Sequence, residues 1–134
     1  MSQENVERNR RVIDAFNRRD LEAFLALMDP DVEFTPYEVM VQGGSPYRGH
    51  SGVRTWWDET FAVLPDLRAE VYEVRDLGGE TYVVHGRLRG RGAGSGAPIE
   101  RRMWLAVTWC DQKEVWWASF ESEAEALEAA RLRE

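Results

Sequence analysis

Cysteine occurs once in this chain, at position 110, so no disulfide can close within it. A single thiol suits a reducing compartment, and the cytoplasm is the expected location. Histidine occurs only as His50 and His85. One cysteine and two separated histidines give no zinc-ligand spacing, so no metal is expected. No stretch approaches the ~20 apolar residues of a membrane span, and the first eight residues lack the apolar run of a signal peptide. Basic charge is also in deficit. Lys plus Arg number 17 against 24 Asp plus Glu, a formal net charge of −7. Phosphate backbones and anionic bilayers select the opposite balance, so neither nucleic acid nor a membrane is an expected partner. Cofactor and nucleophile signatures are missing too. The glycine-rich stretch 90–96 has neither the strand-to-helix setting nor the lysine of a phosphate loop, and Ser45, Ser51, Ser95 and Ser119 sit in no nucleophile-elbow context. No cofactor is expected.

What is present fits one soluble domain over residues 1–134. Hydrophobic residues make up 43% and charged residues 31%, a balance that supports a packed core. A chain of this length buries roughly two-thirds of the surface its unfolded form exposes, enough without metal or disulfide help. Val6, Val12, Ile13 and Phe16 recur near a 3.6-residue period and predict a first helix with polar residues between them. Asp20 can cap a second helix carrying Leu21, Phe24, Leu25 and Met28, stopped by Asp29 and Pro30. Residues 31–37 alternate as a half-buried strand, with Val32 and Phe34 on one face and Glu33, Thr35 and Tyr37 on the other. A loop follows over 42–46.

A third helix is the clearest element. Ser51 is its expected N-cap, Val53, Trp56, Trp57, Thr60, Phe61 and Leu64 its apolar stripe, and Pro65 its end. Strands are expected at 68–76, 81–89, 99–109 and 115–120. The first hairpin turns at Leu77-Gly78-Gly79, the second runs through the glycine-rich 90–98, and the third turns at 110–113. Tyr82, Val84 and Leu88 should face one way and Val83, His85, Arg87 and Arg89 the other. A short last helix opens on the capping box Ser122–Glu125. Helices segregated from an antiparallel sheet give an α+β class.

The order of these elements and four stretches within them carry a resemblance. VIDAFNRRDLEAFLALMDPDVEFTP (12–36), YRGHSGVRTWWDETFAVLPDLRAEV (47–71), LRGRGAGSGAPIE (88–100) and EALEAARL (125–132) together resemble the SnoaL-like, ketosteroid-isomerase-like branch of the nuclear transport factor two-like superfamily. The resemblance spans nearly the whole chain. It implies a curved, mixed or antiparallel sheet wrapped on three helices into a cone, with a short C-terminal helix. It also implies an apolar pocket at the wide end and a homodimer formed through the outer face of the sheet.

The superfamily's chemistries map poorly onto these residues. Its isomerases use a carboxylate base beside the first strand with a tyrosine and a protonated aspartic acid as oxyanion hole; Thr35 stands near the base and Val12 near the tyrosine. A register shift would recruit Glu33 instead. Its polyketide cyclases use an acid on a late strand, but residues 104–109 contain none. Its dehydratases pair histidine with aspartate, and His50 and His85 have no evident partner. Its epoxide hydrolases set arginine between aspartates. Arg87, Arg101 and Arg102 are available without them.

The functional expectation is therefore a protein that holds a small apolar or aromatic ligand, with two alternatives. One is an isomerase, cyclase or hydratase working by acid–base chemistry, for which Glu33, Thr35 and His85 are the catalytic candidates. The other is a non-catalytic dimerisation module with a filled interior. Six tryptophans, at 56, 57, 104, 109, 116 and 117, serve either pocket, core or interface. Tyr37, Tyr47, Trp56, Trp57 and Trp104 are the pocket candidates. Trp116 and Trp117, on opposite sides of one strand, require that one side bury an indole outside the cone, which points to a partner surface.

Overall fold

A computed structural model describes residues 3–133. The chain begins with α1 (Gln3–Asn17) and α2 (Leu21–Ala26), then β1 (Met28–Thr35), α3 (Tyr37–Gln42), β2 (Tyr47–Arg48) and α4 (Gly49–Val63). The meander β3 (Arg68–Asp76), β4 (Thr81–Arg91), β5 (Pro98–Cys110) and β6 (Lys113–Phe120) follows, and α5 (Glu123–Leu132) ends it. The strands form one curved sheet in the order β2-β1-β6-β5-β4-β3. Every pairing is antiparallel except β1 with β6. The α+β class and the mixed sheet wrapped on helices match the expectation.

Alternation along the strands sorts side chains onto two faces. Val32, Phe34, Tyr82, Val84, Met103, Leu105, Val107, Trp109 and Trp117 join the buried core on the inner face. Against it lie Val12, Ile13 and Phe16 of α1, Phe24 and Leu25 of α2, and Val53, Trp56 and Trp57 of α4. Asn17 fastens α1 to the edge strand β3: its side-chain amide donates to the Ala69 carbonyl and its oxygen accepts from the Ala69 N–H, both at 2.9 Å. Gly86, in the middle of β4, faces the bulge in β3 between Val71 and Glu73. A Cβ there would overlap the Glu70 carbonyl, so glycine is what lets the two backbones close.

Several boundaries depart from the sequence reading. The second helix ends at Ala26, with Leu27 as its C-cap, and Met28 opens β1 rather than closing the helix. Pro30 lies inside β1, where the register against β6 is irregular and its missing N–H interrupts no regular ladder. The strand stops at Thr35, and Tyr37 begins α3, a helix that was not expected. Pro36 starts it in extended geometry, and its carbonyl accepts from Val39 and Met40 at 3.1 Å. Helix α4 starts at Gly49, two residues before the expected Ser51 cap. Gly49 has φ +68, and a Cβ there would sit 2.7 Å from the Pro30 carbonyl oxygen. His50 thus falls in the first helical turn, its Nε2 2.9 Å from the Met28 carbonyl oxygen.

The outer face of the sheet holds the largest correction. Trp116 does lie outside the cone, but the chain covers it itself. Helix α5 packs Ala130 onto Trp116, Ala106 and Ala118, and the Arg133 guanidinium sits 4.7 Å from the Trp116 ring centroid. Trp116 is buried without any partner, so it is no argument for one. Half of the expected capping box behind this packing is formed: Ser122 Oγ accepts from the Glu125 N–H at 3.2 Å, while the Glu125 carboxylate accepts from the Glu121 N–H, one residue earlier than the box requires.

Candidate functional site

Between the helices and the inner face of the sheet the core does not close completely. Helices α1, α2 and α4 contribute Ile13, Phe16, Phe24, Trp56 and Thr60, while the sheet contributes Leu88, Arg101, Met103, Leu105, Trp117 and Ser119. Pro36, Tyr37 and Glu38 border the same space. About 50 Å³ of it is open to the centre of a water molecule, inside roughly 530 Å³ of empty volume that includes the mouth. The smaller figure sets what fits, because the larger counts open solvent. One water needs only ~10–15 Å³ on that measure, so the slot takes several waters or a flat ring. A shallower groove lies beside it. It shares Pro36, Glu38, Trp56 and Thr60 with the slot and adds Tyr47 and Glu59.

The aromatic wall is built by the helix and strand periods together. Phe34 stacks on Trp117 at 4.1 Å with the planes 15° apart, and Trp56 leans on Phe34 at 4.7 Å. Phe16 and Phe24 flank Trp56 at 6.1 and 6.3 Å. Trp56 is only 7% exposed, yet its indole N–H has no hydrogen-bond partner among the described residues. Trp57 shares the helix but not the slot; it is buried against Phe24 and Phe61, each at 5.0 Å.

Arg101 is the polar element of this wall. It pairs across the sheet with Leu88 and has the parity of Met103 and Leu105, which turns it inward. Its guanidinium carbon sits 3.7 Å from the centroid of the Tyr37 ring. No ion pair or hydrogen bond satisfies it among the described residues; burial lowers its pKa, and the nearby Glu38 and Tyr37 pull the other way. Tyr47, at the neighbouring groove, donates its hydroxyl to Glu59 Oε1 at 2.9 Å. Its phenol pKa is raised by burial and then by that carboxylate.

The residues singled out from the sequence divide accordingly. Tyr37 and Trp56 line the slot, Tyr47 lines the adjoining groove, and Trp57 belongs to the core behind it. Trp104 is on the outer face, where it stacks on His85 at 3.8 Å with planes 8° apart. Glu33 also points outward, because Val32 and Phe34 on either side of it are fully buried inside. It pairs with Arg48 at 3.5 Å. Thr35 stands beside Ala118 on that same outer face. None of the three catalytic candidates, Glu33, Thr35 and His85, reaches the slot. Arg101, Glu38 and Ser119 were not chosen, although simple alternation from Met103 and Trp117 turns Arg101 and Ser119 inward. Among the described residues no group of three or more His, Cys, Asp or Glu is placed to hold a metal ion.

The fold and site together define an α+β cone with a narrow aromatic slot between helices and sheet. Residues 9–116 match the SnoaL-like domain, and the chain belongs to that family. Solved structures agree on the fold. An NTF2-like protein of unknown function from Burkholderia pseudomallei is 25% identical, with a TM-score of 0.78 over 96% of this chain and 97% of that one. IdmH, a putative polyketide cyclase from Streptomyces antibioticus, is 23% identical, with a TM-score of 0.75 over 97% and 99%. TerC, crystallised with polyporic acid, is 24% identical, with a TM-score of 0.76 over 95% and 98%. A comparison with curated proteins finds no match.

Proposed function

We propose that this protein binds a small, flat, apolar or aromatic molecule in the slot between α4 and the inner face of β5 and β6. One observation carries the reading: a slot walled by Phe16, Phe24, Trp56 and Trp117 stays open inside the core. A dimerisation module with a filled interior would leave no such slot. The complex of TerC with polyporic acid supports the reading, since that protein shares the fold and was crystallised with a small organic molecule.

The test is a titration with 2-naphthamide, a flat uncharged probe, followed by quenching of tryptophan fluorescence. The wild type should show saturable quenching. Leu88→Trp, which fills the slot from the sheet side, should abolish it with the fold retained by circular dichroism. Absence of saturable quenching in the wild type, or quenching indifferent to the filling substitution, overturns the proposal.

Acid–base catalysis in the same space is a second reading, and Glu38 favours it. It is the one carboxylate among the slot's lining residues and stands on the wall that also carries Arg101. Self-association through the outer face is a separate proposal. Tyr72, 48% exposed, meets His85 edge-on at 5.4 Å, and His85 stacks on Trp104, a patch that α5 leaves open. Sedimentation equilibrium of the wild type against Trp104→Glu reads it out as a dimer reduced to a monomer.

A further inference from the structure

We infer that the ligand of the slot carries an acidic oxygen, as a carboxylate or an ionised phenol or enol, and that Arg101 is the residue that takes it. The inference rests on the binding reading above and specifies its chemistry. A guanidinium withdrawn from water costs several kcal/mol unless its charge and donors are answered. Arg101 is half-buried in an apolar wall, and among the described residues its guanidinium is met by the face of Tyr37, at 3.7 Å. A ring face answers part of the charge. It accepts none of the five N–H donors, which lie in the guanidinium plane and form the fork that fits two oxygens at once.

The contrast with the other arginines is instructive. Arg8 is held by Glu80 at 2.9 Å, and Arg87 by Glu70 and Glu100 at 3.1 and 2.7 Å. Those charges are spent within the protein. Glu38 lies near enough to act on Arg101 through space, but it makes no ion pair with it among the described residues. It keeps a cation favourable at the mouth without occupying the donors. An unanswered guanidinium fork, and no unpaired buried acceptor among the slot's described residues, specify an acceptor-rich, anionic head on an apolar body.

The experiment compares near-isosteric pairs by isothermal titration calorimetry: 2-naphthoate against 2-naphthamide, with benzoate against benzamide as the one-ring pair. The wild type should bind each acid about ten-fold or more tightly than its amide, as a charge-assisted fork predicts. Arg101→Gln should erase that preference, bringing each acid and its amide to within about two-fold of one another. Arg101→Lys, which keeps the charge without the fork, should retain only part of the preference. Equal binding of acid and amide by the wild type overturns this inference while leaving the binding reading intact, and needs no variant to fold. A preference that survives in folded Arg101→Gln also overturns it. Failure of all four probes to bind overturns both.

Discussion

The two ends of the cone treat polar groups in opposite ways. At the end built by α1 and the β5–β6 turn, most buried donors are answered. The Trp109 indole N–H donates to Asn9 Oδ1 at 2.9 Å, Arg8 reaches Glu80, and the Arg8 guanidinium sits 4.6 Å from the Trp109 ring centroid. At the other end the Trp56 indole N–H has no partner among the described residues, and the Arg101 fork is left open at the slot. Two tryptophans, similarly buried, therefore play different parts. Trp109 is bonded into the architecture, while Trp56 gives its ring to the wall of the slot. Two groups break the rule at the closed end, Arg8 Nε and a carboxyl oxygen of Glu114. Glu114 is 2% exposed, has a carboxyl oxygen without a partner, and is pushed up to about 8 by burial.

The largest break in this comparison should come from Trp109→Ala. Emptying a fully packed indole site typically costs about 3–5 kcal/mol, and here it also strands Asn9. Urea unfolding should show that loss directly. Next comes Glu114, whose effect has a sign that pH reveals. Its folded-state carboxyl keeps the proton between the ordinary 4.5 and about 8, whereas the unfolded chain releases it. Stability should therefore fall as pH climbs through that window and level off above it. Glu114→Gln should remove this dependence, with a gain on the order of a few kcal/mol at pH 8.5 and none at pH 4. Parallel wild-type and variant unfolding curves at both pH values would refute the assignment. The smallest effect belongs to Trp56→Phe. It deletes an unanswered donor rather than a bond, so stability should change by only about 1 kcal/mol. Its consequence should appear in probe binding instead.

Much of the architecture was legible because periodicity reports burial. Val12, Ile13 and Phe16, the stripe on α4, and the alternation of Tyr82 and Val84 each follow from which side of an element meets the core. The site was less legible for a related reason. Carboxylates, histidines and the family's base position point to Glu33, His85 and Thr35, which the pleat of their strands turns outward. Arg101 was visible in the same pattern, two residues before Met103, but was weighed only as a partner for aspartates. Arg8 and Asn9 read as the polar face of α1, yet both are buried. Their burial depends on Glu80 and Trp109, so no local window could show it. The α3 helix escaped because Pro36 ends one element and starts the next within a single residue.

The lone parallel pairing carries a consequence for how the molecule assembles. Strands β3 to β6 are joined by short turns and can zip locally, but β1 meets β6 across most of the chain, with Phe34 opposite Trp117. Contacts of such high sequence separation pay a large loop-closure entropy and limit the folding rate. The Phe34–Trp117 stack is also the aromatic backing of the slot. Ligand-binding competence should therefore arise only at the slowest step of refolding, after the meander already has its hydrogen bonds.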